Sequence, residues 1–306
     1  MTAAGLGPSA KVSVIGLGIM GAAFARHLRK SGFQVTGYDP DPARAEVCRG
    51  FGVEPTGGAA AAIAGMDVVL CSLPSCAALE RTVAAAVEAA GASRGGPPPV
   101  IVDLSTLELA CKLEAQRGLA ACGYTMLDSP VSGTGAQAAA GEVVVYASGN
   151  TAAIQAVRPV LESFSTAVFD LGAFGNGTRT KLTANLLVAI HNAAAAEAVN
   201  LAQRAGMDPN RLLEVLSAGG AAGSRILELR GPLMARREYT PATMRLDLWQ
   251  KDLRLIEDYA RQLGAATPLF DASLPLYRAA LRSGSAEADT AAVYEVLRAM
   301  RTDDRE

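Results

Sequence analysis

The sequence predicts an α/β fold in two parts, a doubly wound parallel sheet followed by an all-helical domain joined to it through a long helix. Three observations predict it. Short β-branched runs alternate with alanine-rich helical stretches through the first half. The first of those runs leads straight into a spaced-glycine turn and then a helical stretch. Beyond about residue 172 only helical periodicity remains. At roughly 150 residues per domain, 306 residues give room for two, and the boundary is expected between a first domain of residues 1–173 and a second of 174–306.

The strands are expected at 11–15, 34–38, 67–73, 100–103 and 124–128, with 142–147 and 167–171 further on. Helical stretches at 20–31, 77–89 and 108–121 lie between the early ones. Strand–helix–strand repetition at this spacing implies right-handed crossovers and a mostly parallel sheet. From 178 to 204 the pattern is one long helix of 27 residues, about 40 Å at 1.5 Å per residue. Asp208-Pro209 then offers an N-cap with proline in the first turn, and Gly219-Gly220 a stop. Further helices are expected at 249–263, 271–282 and 289–300, the first burying Leu253, Ile256, Tyr259 and Leu263 on one face.

Composition removes several classes of function. Half the residues are apolar and 19% charged, so the chain can build a packed core rather than remain disordered. With 28 basic and 30 acidic residues the net charge is −2 and no block of like charge stands out, which argues against nucleic acid or an anionic membrane surface as partner. No stretch of eighteen apolar residues runs without a charge or turn residue, so no membrane span is expected. The first ten residues lack a basic side chain and an apolar core, and are expected to be a frayed tail rather than a signal peptide. The five cysteines (Cys48, Cys71, Cys76, Cys111 and Cys122) form no Cys-x-x-Cys, and His27 and His191 cannot assemble a multi-histidine site. Buried thiols in a reducing cytoplasm, with no metal, are the expectation.

The glycine turn is the first candidate site. Gly16-Leu17-Gly18-Ile19-Met20-Gly21 follows a strand and opens a helix. In that setting Gly16 permits the tight turn, Gly18 lets backbone approach a pyrophosphate, and Gly21 lets helix and strand pack closely. Asp39 ends the second strand eighteen positions beyond Gly21. A carboxylate there accepts the ribose hydroxyls of NAD and repels the 2′-phosphate of NADP, although Arg44 nearby keeps NADP open. Leu73-Pro74 closes the third main strand and Ser105-Thr106 follows the fourth. At the carboxyl ends of such strands, Leu73 and Pro74 could wall the second ribose and Thr106 reach it; read alone, each is more often an ordinary strand end or turn.

Two further constellations can do chemistry. Ser132-Gly133-Thr134 offers hydroxyls and approachable N–H groups suited to a carboxylate, or simply a turn. Gly175-Asn176-Gly177 precedes the long helix, and Lys181 and Asn185, four apart, share one of its faces. A lysine near a helix N-terminus has its charged form disfavoured, and desolvation in a cleft would add to that, which suits proton exchange. The competing reading is a solvated helix residue. His191, ten positions on, lies well off that face and reads as a satisfied histidine.

With these residues in place, the chain resembles the β-hydroxyacid dehydrogenase family, which includes 3-hydroxyisobutyrate dehydrogenase and tartronate semialdehyde reductase. The similarity runs from Val12 to about Val296. The cofactor fingerprint is similar at Gly16–Gly21, and Leu73-Pro74 and Ser105-Thr106 match two further pairs. The substrate motif is similar at Asp128–Thr134 with Ala136 and Gly141 downstream, the catalytic motif at Gly175–Asn185, and the late Lys-Asp-Leu at 251–253. The resemblance implies a Rossmann domain holding NAD, with NADP possible, through Gly16, Leu17, Gly18, Met20, Gly21, Asp39, Leu73, Pro74, Thr106 and Lys251. It implies Ser132, Gly133 and Thr134 as substrate-binding residues and Lys181 with Asn185 as the catalytic pair. The implied reaction moves a hydride between nicotinamide and a small 3-hydroxy acid, or its semialdehyde or keto partner. Two departures concern the substrate: Thr134 stands where the family usually has glycine, and Ala184 where it often has asparagine or histidine. Gly223-Ser224-Arg225 is similar to a stretch that faces the substrate in four-carbon sugar-acid members, so Arg225 could read a polar or anionic tail. Reduction of an imine or non-acid carbonyl, and dinucleotide sensing without turnover, are the alternatives. A cytoplasmic homodimer or homotetramer acting on a small carboxylate is expected.

Overall fold

β-Branched residues spaced two apart set the central sheet, because alternate side chains of a strand leave on opposite faces. A computed structural model describes residues 5–92, 97–219 and 221–300. Strands β1 (Lys11–Ile15), β2 (Gln34–Tyr38), β3 (Glu54–Pro55), β4 (Val68–Cys71), β5 (Val100–Asp103) and β6 (Thr125–Asp128) lie in the order β3-β2-β1-β4-β5-β6, every pair parallel. Val12, Val14, Leu70, Val102 and Leu127 face one core, and Ile15, Val69, Cys71, Ile101 and Met126 the other. Helices cover both faces: α1 (Ile19–Lys30), α2 (Pro42–Arg49), α3 (Ala59–Ile63), α4 (Cys76–Ala92) and α5 (Leu109–Ala121). Phe24 and Leu28 of α1 fill the first core, Leu79 of α4 and Leu119 of α5 the second. This is the doubly wound α/β sheet with the strand order of a Rossmann fold.

The later strands form a second sheet rather than extending the first. β7 (Val131–Ser132), β8 (Val143–Ala147) and β9 (Ser165–Asp170) pair in that order, β7–β8 antiparallel and β8–β9 parallel. Around them lie α6 (Gly135–Ala140) and α7 (Thr151–Glu162). Ile154, Val157, Val160 and Leu161 of α7 join the first core.

The chain divides into two compact units, Met1–Lys181 and Leu182–Glu306. α8 (Asn176–Arg204) starts in the first and continues in the second. The second unit then holds α9 (Pro209–Ser217), α10 (Arg225–Arg236), α11 (Leu246–Leu263), α12 (Pro268–Arg282), a 3-10 turn (Thr290–Ala292) and α13 (Val293–Ala299). Its core joins Ala189, Ala193 and Ala196 of α8 to Trp249, Leu253 and Ile256 of α11 and Phe270 and Tyr277 of α12. Asp208 caps α9 by accepting the N–H of Asn210 at 3.0 Å, as its sequence predicts; of the expected stop, Gly220 lies outside the described residues.

Several expectations are corrected. The tail is docked from Leu6, whose N–H donates to the Ala156 carbonyl at 2.9 Å, and Ala10 is buried; residues 1–4 lie outside the described residues. Only Cys48 and Cys71 are buried, Cys76, Cys111 and Cys122 being half-exposed free thiols. The buried stripe of α11 is Leu246, Trp249, Leu253, Ile256 and Ala260; Leu263 is 63% exposed, since spacing of three then four tracks the helix better than a run ending at the C-cap. α8 is long and apolar enough, by length and composition, to cross a membrane. Here it is a core helix of the second unit, and Asn192 within it donates to the Tyr277 hydroxyl at 3.1 Å and the Thr290 carbonyl at 3.0 Å.

Candidate active site

The register of the large sheet puts Tyr38, Ile15, Cys71, Asp103 and Asp128 in one row at its carboxyl edge. The loops that leave this row carry every candidate residue of the first unit before α8. Gly16 has φ +90°, and a Cβ there would strike the Ser72 carbonyl. A Cβ on Gly21 would strike the Gly16 carbonyl, so only glycine lets α1 pack against the turn that precedes it. Gly18 is the N-cap of α1 with no side-chain cap, and a Cβ on it would meet only the tip of Arg44, at 3.8 Å. The first N–H groups of the helix therefore face open space beside backbone, a cradle that fits a pyrophosphate.

Asp39 is buried just beyond β2. Its Oδ2 accepts the Leu17 N–H at 2.8 Å and its Oδ1 the Asp41 N–H at 2.9 Å, so this carboxylate also shapes the glycine turn. Arg44, mostly exposed, stands 3.7 Å from Asp39 Oδ2. At the ends of β4 and β5, Ser105 Oγ accepts the Leu73 N–H at 2.8 Å. Leu73 and Thr106 are half-buried and Pro74 is exposed. Ser105 thus clamps the two loops together. Burial pushes the thiol of Cys71, beneath them, well above the ordinary cysteine range, so it is no nucleophile.

The substrate-motif loop is more ordered than a turn. Val131 and Ser132 pair with β8, and Thr134 opens α6 with a reciprocal cap. Thr134 Oγ1 accepts the Gln137 N–H at 3.3 Å while Gln137 Oε1 accepts the Thr134 N–H at 2.9 Å. The backbone N–H expected to meet a carboxylate is therefore committed to Gln137, and Thr134 keeps its hydroxyl proton. Gly133, at φ +150°, packs so closely that a Cβ would lie 2.8 Å from Val143 Cγ1.

The start of α8 is pinned to the same edge. Thr178 N–H donates to Asp128 Oδ2 at 2.8 Å and Thr178 Oγ1 to Asp128 Oδ1 at 2.7 Å. The Gly177 N–H donates to Ser148 Oγ at 2.9 Å. A Cβ on Gly177 would strike the Tyr146 carbonyl and lie 2.6 Å from that of Asp128. Both glycines of the catalytic motif are thereby explained, since Gly175 turns at φ +93°. Lys181, half-buried, comes three residues after Thr178.

In the second unit, Asn185 is buried and its Nδ2 donates to Asp252 Oδ2 at 3.3 Å; Lys251 Nζ lies 3.4 Å from Asp252 Oδ1. Asp252 thus gathers two of the sequence-predicted residues. Arg225 opens α10 on the surface and pairs with Glu228 at 2.9 Å. His191 is half-buried. Among the described residues no cluster of three or more metal-ligating side chains occurs.

Sequence reasoning missed Lys112, Asp103, Ser148 and Thr178. Lys112 is entirely buried, with Nζ 2.8 Å from Asp128 Oδ1, 3.0 Å from Asp103 Oδ2 and 2.6 Å from the Ser105 carbonyl. Burial alone would lower its pKa, but the two carboxylates outweigh that and hold the ammonium above the ordinary lysine value. A signal was present: Lys112 falls in register with Ala115 and Leu119, the buried face of α5.

A doubly wound sheet with an uncapped glycine-lined helix start, followed by an all-α unit, defines a dinucleotide-dependent oxidoreductase. Residues 11–172 match the family described as the NAD binding domain of 6-phosphogluconate dehydrogenase. Residues 175–297 match that described as NAD-binding of NADP-dependent 3-hydroxyisobutyrate dehydrogenase. An L-threonate dehydrogenase of Cupriavidus necator is 33% identical over 94% of this chain and 96% of its own. Glyoxylate/succinic semialdehyde reductase 2 of Arabidopsis thaliana is 30% identical over 95% of this chain and 80% of its own. The structure of Mycobacterium tuberculosis 3-hydroxyisobutyrate dehydrogenase with L-serine superposes with a TM-score of 0.85 at 29% identity, covering 95% of this chain and all of that one. The chain belongs to the β-hydroxyacid dehydrogenase family. It is an NAD(P)-dependent oxidoreductase acting on a CH–OH group of hydroxy acids.

Proposed function

We propose that the protein is an NAD-dependent dehydrogenase or reductase of a small 3-hydroxy acid, 3-hydroxyisobutyrate-like or sugar-acid-like, or of its semialdehyde or keto partner, with Lys181 as acid/base. The observation that carries the reading is the pinning of the first turn of α8 to Asp128 and Ser148. It ties the helix that bears Lys181 to the loop that bears Ser132 and Gly133. Hydroxyisobutyrate, threonate and succinic semialdehyde, in the relatives' names, all carry a carboxylate, which supports that substrate class.

Gly16, Leu17, Gly18, Met20 and Gly21 hold the pyrophosphate, Asp39 the adenosine ribose, and Leu73, Pro74, Thr106 and Lys251 the nicotinamide half. Bound nicotinamide supplies or takes the hydride. Ser132 and Gly133 bind the substrate carboxylate, Thr134 adds its hydroxyl proton, and Asn185 orients the reacting group. Lys181 gives a proton to the substrate oxygen in reduction and takes it in oxidation. The buried Asp39 carboxylate would repel a 2′-phosphate, which favours NAD. The five free thiols support a reducing cytoplasm. Leu201, Leu248 and Leu269, more than 60% exposed in the second unit, support a homodimer or homotetramer.

The test is a panel of three- to five-carbon hydroxy acids and semialdehydes with NAD(H) and NADP(H), run on the native enzyme and on Lys181→Ala. General acid–base catalysis contributes about 10²–10⁴-fold, so kcat of the variant should fall by that factor. A variant keeping more than half of native turnover removes Lys181 from the role. Dinucleotide binding without turnover on any panel member overturns the substrate assignment.

A further inference from the structure

The acid/base reading makes no use of Lys112, yet this lysine is fully enclosed in the first unit. Its ammonium donates to Asp128 Oδ1 and the Ser105 carbonyl, and lies 3.0 Å from Asp103 Oδ2 in an ion pair. One cation between two fully buried carboxylates leaves a surplus negative charge out of contact with solvent. Such a charge is costly unless something balances it. The balance comes from the N-terminus of α8, whose Thr178 N–H and hydroxyl both end on Asp128 and whose macrodipole presents its positive end there. Ser148 completes the joint by donating to the Asp128 carbonyl at 3.0 Å and accepting the Gly177 N–H at 2.9 Å. Lysine, carboxylates and helix end therefore form one balanced unit, and removing the cation leaves two buried carboxylates with no cation between them and only Asp128 held by the helix end.

We propose that Lys112 is a positioning residue for the reaction. It keeps the Asp128 carboxylate aimed at Thr178, so that the first turn of α8 is held and Lys181, one turn on, is presented in a single place. The proposal rests on the reading of Lys181 as acid/base, and its test separates the two. Lys112→Met removes the cation at similar length. Lys112→Met with Asp103→Asn removes one carboxylate as well and restores the native net charge around Asp128, so the double variant should recover what the single one loses.

Amide exchange of the peptide containing Gly177 and Thr178 reads the anchor directly, and kcat against KM reads its consequence. The expected result is exchange about tenfold faster in Lys112→Met, with kcat lower by about tenfold or more as a misplaced group loses orientation. KM should change little, and the double variant should regain much of both losses. Native exchange and native kcat in Lys112→Met overturn the proposal, as does a double variant no better than the single one. If Lys112→Met does not fold, Thr178→Val removes only the hydroxyl donor to Asp128, and native exchange and kcat in that variant count equally against it. Lys181→Ala is assayed alongside: undiminished turnover there defeats the acid/base reading, while the exchange data still judge the anchor.

Discussion

At Gly177 the absence of a side chain decides where the helix lies. A methyl group there would meet the backbone carbonyls of Tyr146 and Asp128, neither of which can rotate away. Gly177→Ala must therefore lift the first turn of α8 off the sheet edge, and overpacking of this kind costs about 1–3 kcal/mol. The expected outcome is a lower melting temperature together with a kcat reduced by about tenfold or more, because Lys181 moves with the turn. A melt shift with native kcat would separate the helix start from the chemistry. Asp39 carries the second residue-scale prediction. Asp39→Ala should weaken NAD binding and narrow its advantage over NADP, checked by dissociation constants for both. Part of the loss will be indirect, since Asp39 also holds the Leu17 N–H. Equal constants in native and variant protein would take Asp39 out of the site.

Among the elements, α13 shows how a surface helix is tied down electrostatically. Glu295 accepts from Arg237 at 2.8 and 2.9 Å, from Tyr239 at 2.7 Å and from Arg298 at 2.9 Å. Burial alone would raise its pKa, but these hydrogen bonds outweigh burial and hold it at about 2. A folded value below the unfolded one means that the contribution is complete above about pH 4.3 and disappears as the pH falls toward the folded value. Glu295→Gln should therefore lower the melting temperature at pH 7, with the gap to native protein closing between about pH 4 and 2. A gap that stays constant across that range would refute the assignment. The elements legible in the sequence were those with one dominant signal. β1, β2 and β5 fall at the expected residues because β-branched runs with abrupt polar ends allow little freedom. α7 was missed although Asn150 caps it and Ile154, Val157 and Leu161 mark its face, because Pro159 interrupts the pattern. α10 hides similarly behind buried Arg230 and internal Pro232. The substrate motif was legible as a site and not as a structure: a two-residue strand and a six-residue helix are fixed by pairing with β8 and by the Thr134–Gln137 cap, which no periodicity reports. Lys112 was hidden because a lysine on a helix reads as solvated unless its register with the buried face is weighed.

For the whole molecule, the strand order β3-β2-β1-β4-β5-β6 means that successive crossovers leave β1 in opposite directions, opening a crevice at the carboxyl ends of β1 and β4. The glycine turn, Asp39 and the Leu73 and Ser105 loops all leave the sheet at that edge, which is why motifs scattered over about a third of the chain converge. The first unit is built on two apolar cores and the second on its own, so the chain need not melt as one two-state body. A ligand that binds only the folded form adds RT ln(1 + [L]/Kd), about 2.7 kcal/mol at a hundredfold excess over Kd. At roughly 2–4 °C per kcal/mol for a unit of this size, NAD at that level should raise the melting temperature of the unit holding the glycine turn by about 5–10 °C. The shift should shrink in Asp39→Ala at the same NAD concentration, because Kd has risen, and stay native in Lys181→Ala, where the dinucleotide contacts are intact. Calorimetry with and without NAD checks all three proteins. A native enzyme whose melt ignores saturating NAD would contradict the placement of the dinucleotide on α1, whereas a shift lost equally in both variants would mean that Lys181 holds the dinucleotide rather than the proton.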